Sequence, residues 1–172
     1  MITFVFGHMY SGKSEELIHQ ARLSPVARVF YATGDDNHNP DREVISRAGS
    51  AHPATEFSLG GFDVKNGQSV FIDEAQFLTE HQVLWVRELA SLAGVHVKAY
   101  GLLNDYTDAL FPGSEALIKF ADHIEVFRAG AFVCMHEGCD RLVGKGYHRA
   151  CAGRWLVLCS SCKNLYPKTL DL

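Results

Sequence analysis

ITFVFGHMYSGKSEEL, residues 2–17, joins an unbroken apolar run to a glycine-bounded loop and then to a helix-forming stretch. The apolar run 2–6 suits a strand buried on both faces of a parallel sheet, where no alternation is needed. Gly7, Gly12, Lys13 and Ser14 satisfy the phosphate-loop template G-x-x-x-x-G-K-[ST]. A chance match in a chain of this length and average composition is about a one-in-two-hundred event, and here it falls between strand and helix, where the mechanism requires it. Glycines let backbone N–H groups turn towards phosphate oxygens, and the helix N-terminus adds a favourable partial charge. The expected phosphate cradle is therefore Gly7, His8, Met9, Tyr10, Ser11, Gly12, Lys13 and Ser14. Lys13 would meet the β- and γ-phosphates, and Ser14 would ligate Mg²⁺.

Outward from this loop, strands and helices alternate. A helix is expected from about Lys13 to Leu23, stopped before Pro25, and further strands at 27–33, 69–73, 95–101 and 123–128. Residues 79–82, TEHQ, form a capping box ahead of a helical apolar stripe of Val83, Val86, Leu89, Ala90 and Ala93. A short helix is expected at 113–121. Residues 34–68, rich in Gly, Asp, Asn, His and Ser, read as mostly loop. The pattern implies an α/β fold of the P-loop (RecA- or Rossmann-like) type: a parallel sheet flanked by helices. Strand 69–73 ends in Asp73, where a Walker-B aspartate holds Mg²⁺, and Glu74 follows as a candidate proton acceptor. The reaction class is then phosphoryl transfer.

The chain has 172 residues and a net charge of −4, divided unevenly. Residues 1–127 carry 9 Lys/Arg and 17 Asp/Glu, whereas 128–172 carry 7 and 3. This shift places a boundary near residue 130, giving a nucleotide-binding domain 1–130 and a second unit 131–172. All five cysteines lie between 134 and 162. Cys134 with Cys139, and Cys159 with Cys162, make two close pairs suited to a closed tetrahedral Zn²⁺ site of structural type. Cys151 is left over, and His136 and His148 are possible substitutes as ligands. No apolar run approaches the roughly 20 residues that span a bilayer, and no signal-peptide pattern opens the chain, so a cytoplasmic location without membrane contact is expected. The acidic net charge argues against sequence-independent affinity for nucleic acid; only the basic tail keeps a nucleic-acid-binding NTPase as an alternative.

Several stretches together resemble the type II, zinc-containing thymidine kinases: GHMYSGKS, the DD at 35–36, SRAG (46–49), FIDEAQFL (71–78), YGLLNDY (100–106) with LFPGS after it, and the cysteine pairs. The resemblance covers nearly the whole chain in order. It implies ATP–Mg²⁺ at residues 7–14, Glu74 as the base for the deoxyribose 5′-hydroxyl, and Asp35 as a carboxylate near the metal. It places Met9, Phe77, Leu102, Tyr106 and Phe111 around a pyrimidine base. It also implies a small zinc domain with a lasso loop over the nucleoside, a homotetramer, and feedback inhibition by thymidine triphosphate. This chain departs from the pattern in three places. Asn37 stands where an arginine is usual, with Arg42 or His38 as candidate replacements. Asp105-Tyr106-Thr107 stands where D-F-R is common. The segment between the cysteine pairs is shortened, with Trp155 in the place of the lasso tyrosine. A kinase for a related or 5-modified pyrimidine deoxynucleoside is therefore the nearer alternative.

Overall fold

The computed structural model describes residues 1–34, 41–128, 132–143 and 146–169. In chain order the elements are β1 (Ile2–Phe6), α1 (Lys13–Leu23), β2 (Ala27–Tyr31), β3 (Glu43–Ile45), β4 (Ala51–Pro53), β5 (Thr55–Glu56), β6 (Ser69–Asp73), α2 (Glu80–Leu92), β7 (His96–Gly101), α3 (Pro112–Phe120), β8 (His123–Val126), β9 (Tyr147–Cys151) and β10 (Arg154–Leu158). Short 3₁₀ turns occupy Ala75–Phe77 and Lys163–Leu165.

Six strands form one sheet in the order β5-β2-β6-β7-β1-β8, and every pairing within it is parallel. Successive side chains of a strand point to opposite faces, and the packing follows that alternation. Val5, Val29, Phe71 and Tyr100 meet Leu17, Ile18 and Ala21 of α1 on one face. Phe4, Phe30, Ile72, Val97 and Ala99 meet Val83, Val86 and Ala90 of α2 and Ala116 and Leu117 of α3 on the other. Each such fully buried aliphatic side chain contributes about 1.5–3 kcal/mol of transfer free energy, so the helices are held by their apolar stripes. Thr79 caps α2 as its sequence implies. Its hydroxyl accepts from the Gln82 N–H at 3.2 Å, while the Thr79 N–H donates to Gln82 Oε1 at 2.7 Å.

The expected strands and helices are present, with the second strand ending at Tyr31 and the fifth of those expected at Val126. Residues 34–68 hold more than loop. β3 and β4 pair as an antiparallel hairpin, and β5 adds a sixth strand beside β2 through Phe30–Thr55 and Tyr31–Glu56. Two exposed polar residues carry no hydrophobic period, so only backbone pairing reveals β5 as a strand. The segment that reads as a shortened lasso contains the antiparallel hairpin β9–β10, in register from Cys151–Arg154 to Tyr147–Leu158. Its core of Val143, Leu156, Val157 and Leu158 with the cysteines also takes in Met9 and Tyr10 of the phosphate loop. No described helix is long and apolar enough to cross a membrane.

Candidate active site

The phosphate loop leaves β1 and returns as α1 through Gly12, whose φ of 91° lies in the left-handed region that glycine adopts without a Cβ clash. Lys13 curls over this loop, its Nζ donating to the His8 carbonyl at 2.9 Å and to the Gly7 carbonyl at 3.3 Å. Burial lowers the Lys13 pKa, and the charges of Glu74 and Asp73 act against that lowering. Ser14 Oγ donates to Asp73 Oδ2 at 2.9 Å, which brings the two expected Mg²⁺ ligands side by side. Burial, and then repulsion from Glu74, push the Asp73 carboxyl up to about 7. A buried carboxylate raised in this way is one a cation would restore to its charged form. The pair of oxygens therefore fits a hard divalent ion.

Glu74 sits at the switch from β6 into the 3₁₀ turn with φ 52°, left-handed for a residue that carries a Cβ. Such a conformation costs on the order of 1–3 kcal/mol and persists only when the surroundings hold it. Gln76 provides part of that hold. Its Oε1 accepts from the Leu102 N–H at 3.0 Å, which fixes the amide so that Nε2 is the donor towards Glu74 Oε2, at 2.5 Å. Ser114 Oγ donates to the Leu102 carbonyl at 2.5 Å. Both backbone groups of Leu102 are thus tied. Gly113 allows the approach, since a Cβ there would lie 2.6–2.7 Å from the carbonyls of Ala75, Gln76 and Leu78. The stretches FIDEAQF, YGLL and LFPGS, distant in sequence, therefore meet around one buried amide.

These elements border a single cavity of about 1210 Å³. Its lining includes Met9, Tyr10, Gly12, Lys13, Ser14, Asp73, Glu74, Phe77, Leu102, Tyr106, Phe111 and Trp155, so most of the expected site residues share one space. Phe77 and Phe111 pack edge to face at 5.7 Å, and Tyr106 and Trp155 approach to 6.4 Å. Gly7, His8 and Ser11 belong to the loop but are buried beneath it and do not line the cavity. Asp35, with Asn37 and His38, lies outside the described residues. Arg42 does not line the cavity, whereas Arg47 does, its guanidinium 3.8 Å from the centroid of the Tyr10 ring. The SRAG turn holding Arg47 is anchored by Glu15, which accepts from the hydroxyls of Ser46 and Ser50.

Sequence reasoning passed over Gln76 and Arg47, although both lie in stretches that carried the resemblance. It also passed over His148 as a cavity residue. His148 Nε2 accepts from the Met9 N–H at 3.0 Å. Burial, with the Lys13 charge next, lowers its pKa to about 4. The imidazole is then neutral, with its proton on Nδ1.

The sulfur atoms of Cys134, Cys139, Cys159 and Cys162 all lie within 4.8 Å of one another, and Cys139 Sγ and Cys159 Sγ are 4.0 Å apart. Four sulfurs at about 2.3 Å from a tetrahedral Zn²⁺ would stand about 3.8 Å apart, so the cluster fits a closed structural zinc site. His136 is instead bonded to the Tyr166 hydroxyl and His148 to Met9, and Cys151 lies outside the cluster. Metal analysis should find about one zinc per chain. Cys159→Ser should abolish stoichiometric zinc and lower the melting temperature; a folded, zinc-free wild-type protein would refute the site.

A sequence model of the thymidine kinase family matches residues 1–163. The chain belongs to the thymidine kinase family. The thymidine kinase of Lactobacillus acidophilus is 33% identical, over 81% of this chain and 79% of its own. That of Lactiplantibacillus plantarum is 31% identical, over 81% and 78%. That of Rhizobium meliloti is 36% identical, over 73% and 71%. Membership agrees with the parallel α/β sheet, and the four-cysteine cluster agrees with the zinc-containing class of thymidine kinases.

Proposed function

We propose that this enzyme transfers the γ-phosphoryl group of ATP to the 5′-hydroxyl of thymidine, a step of deoxynucleoside salvage. The observation that carries this is the shared cavity. Lys13, Ser14, Asp73 and Glu74 line it together with Phe77, Leu102, Tyr106, Phe111 and Trp155. The loop 7–14 meets the donor phosphates through the residues that line the cavity, Met9, Tyr10, Gly12, Lys13 and Ser14, and Lys13 takes the β- and γ-phosphates. Ser14 and Asp73, with Asp35 from the resemblance, would hold Mg²⁺. When bound, that ion neutralises phosphate charge and orients the donor. Glu74, its Oε2 held by Gln76, accepts the 5′-hydroxyl proton. The hydroxyl oxygen then bonds to the γ-phosphorus as the bond to the β,γ-bridging oxygen breaks and ADP leaves. Met9 and the aromatic residues enclose the base.

A panel of nucleosides assayed with ATP and Mg²⁺ tests this directly. Thymidine is expected to be the best acceptor, and no turnover with any pyrimidine nucleoside would refute the assignment. A specific observation keeps a related or 5-modified pyrimidine deoxynucleoside as the second reading: Tyr106 and Trp155, side chains that each carry a polar group on an apolar body, both line the cavity. Preference for such a nucleoside over thymidine would favour it. The nucleic-acid alternative draws on the basic tail. Three of its basic residues, Arg149, Lys163 and Lys168, are turned onto Asp108 rather than outward as a patch. The division at residues 130 and 131, a homotetramer and a cytoplasmic location belong to the same proposal and rest on the sequence reading.

A further inference from the structure

Arg149 is the largest fully buried side chain among the described residues, with 0% exposure, and none of the steps above uses it. It lies on β9, in the hairpin beside the zinc cluster, but its guanidinium reaches into the turn that carries Tyr106. Nη1 donates to the Tyr106 carbonyl at 2.8 Å, to Asp108 Oδ1 at 3.0 Å and to the carbonyl of His148 at 2.8 Å. Nη2 donates to Asp108 Oδ2 at 3.1 Å. The pairing with Asp108 is a two-point fork, the arrangement that fixes direction as well as distance. Lys168 reinforces it, bonding Asp108 at 2.9 Å and the Thr107 carbonyl at 2.8 Å, and Lys163 approaches Asp108 at 3.4 Å.

The turn does not need these cations for its own shape. Asp105 Oδ1 accepts from the N–H groups of Thr107 and Ala109 and from the Thr107 hydroxyl. Asn104 Nδ2 closes it by donating to the Asp108 carbonyl. What Arg149 adds is the placement of an already formed turn against the cavity wall. The adjacent residue, His148, makes the corresponding tie on the donor side through the Met9 N–H. Two consecutive residues of one strand thus tie the phosphate loop and the Tyr106 turn to the same hairpin.

We propose that Arg149, through Asp108, is a positioning residue for the nucleoside site, setting where Tyr106 stands relative to the phosphate loop. The inference rests on the kinase reading above. It assigns to the ion pair an effect on acceptor recognition that general loss of stability would not give.

The test is steady-state kinetics on the full, zinc-loaded chain with thymidine and ATP varied separately. Asp108→Asn removes the charge and keeps a residue tolerant of the left-handed φ of 72° found there. Breaking one side of a buried pair is destabilising, so the double variant Arg149→Met with Asp108→Asn is measured beside it. The double variant leaves no buried guanidinium unpaired and frees only Lys163 and Lys168, both partly open to solvent. Both are checked for zinc content and a cooperative melt. The KM for thymidine is expected to rise about tenfold or more, with the KM for ATP and kcat within about threefold of wild type. Folded variants with an unchanged thymidine KM, or with both KM values raised equally, would overturn the role. So would failure of both variants to yield folded, zinc-loaded protein, because the pair would then be purely structural. A wild-type chain that phosphorylates no pyrimidine nucleoside would overturn the kinase reading and this role together. Activity in the wild type separates the two failures.

Discussion

Replacing Glu74 by Gln should lower kcat by about 10²–10⁴-fold, the range typical of losing a positioned general base, while the KM values for ATP and thymidine stay within a few-fold. The substitution suits the question because it removes little else. Glutamine has the length of glutamate, and its carbonyl oxygen can still accept from Gln76 Nε2, which sits 2.5 Å from Glu74 Oε2. The left-handed backbone at residue 74 stays held by the same surroundings, with Gln76 tied to Leu102 and Gly113 packed on the turn. What vanishes is the capacity to take the hydroxyl proton. An interaction that acts on the chemical step lowers kcat and kcat/KM together, whereas a binding contact raises KM. Steady-state kinetics therefore separate the two roles. A Glu74→Gln enzyme retaining kcat within about tenfold of wild type would exclude the base role, and a selective rise in thymidine KM would recast Glu74 as a substrate contact.

The donor half of this site was legible from the sequence because local rules determine it. The apolar run, the glycine template and the strand ending in Asp73 each depend on residues close together in the chain, and the structure places Ser14 and Asp73 in contact. The thiol cluster was legible for a similar reason, since two close cysteine pairs leave few alternatives. The acceptor half was less so. Nothing in the period of residues 71–78 or 100–114 marks Gln76 as the amide joining Glu74 to Leu102, because that bond crosses 26 residues. The cysteine spacing likewise drew attention to the zinc site and away from His148 and Arg149 between the pairs. Their partners, Met9 and Asp108, are 139 and 41 residues away. A basic residue in a basic tail reads as surface; only the fold shows that Arg149 is buried and bonded to the Asp108 carboxylate and to the Tyr106 and His148 carbonyls.

Lys13→Ala should also be severely damaging, removing about 10²–10³-fold or more from kcat/KM, the loss seen when one preorganised donor to a developing charge is deleted. Lys13 does two things that alanine cannot. In the structure its ammonium bonds the carbonyls of Gly7 and His8, so the side chain is folded along the loop rather than extended into solvent. On the proposed reading its charge would meet the phosphates without the full entropy cost of ordering a free lysine. Among the described residues lining the cavity, the only other arginine or lysine is Arg47, stacked on Tyr10, against the carboxylates of Glu15, Asp41, Glu43, Asp73, Glu74 and Asp105. A polyphosphate entering so acidic a space depends on the few cations that face it and on the metal that Ser14 and Asp73 would hold. Deleting Lys13 should therefore weaken ATP binding as well as turnover, unlike Glu74→Gln. The fold should survive, since the packed residues of α1 are Leu17, Ile18 and Ala21 rather than Lys13, and an unchanged zinc content would verify it. A folded Lys13→Ala enzyme with near wild-type kcat/KM for ATP would remove the phosphate-loop assignment on which the donor site rests.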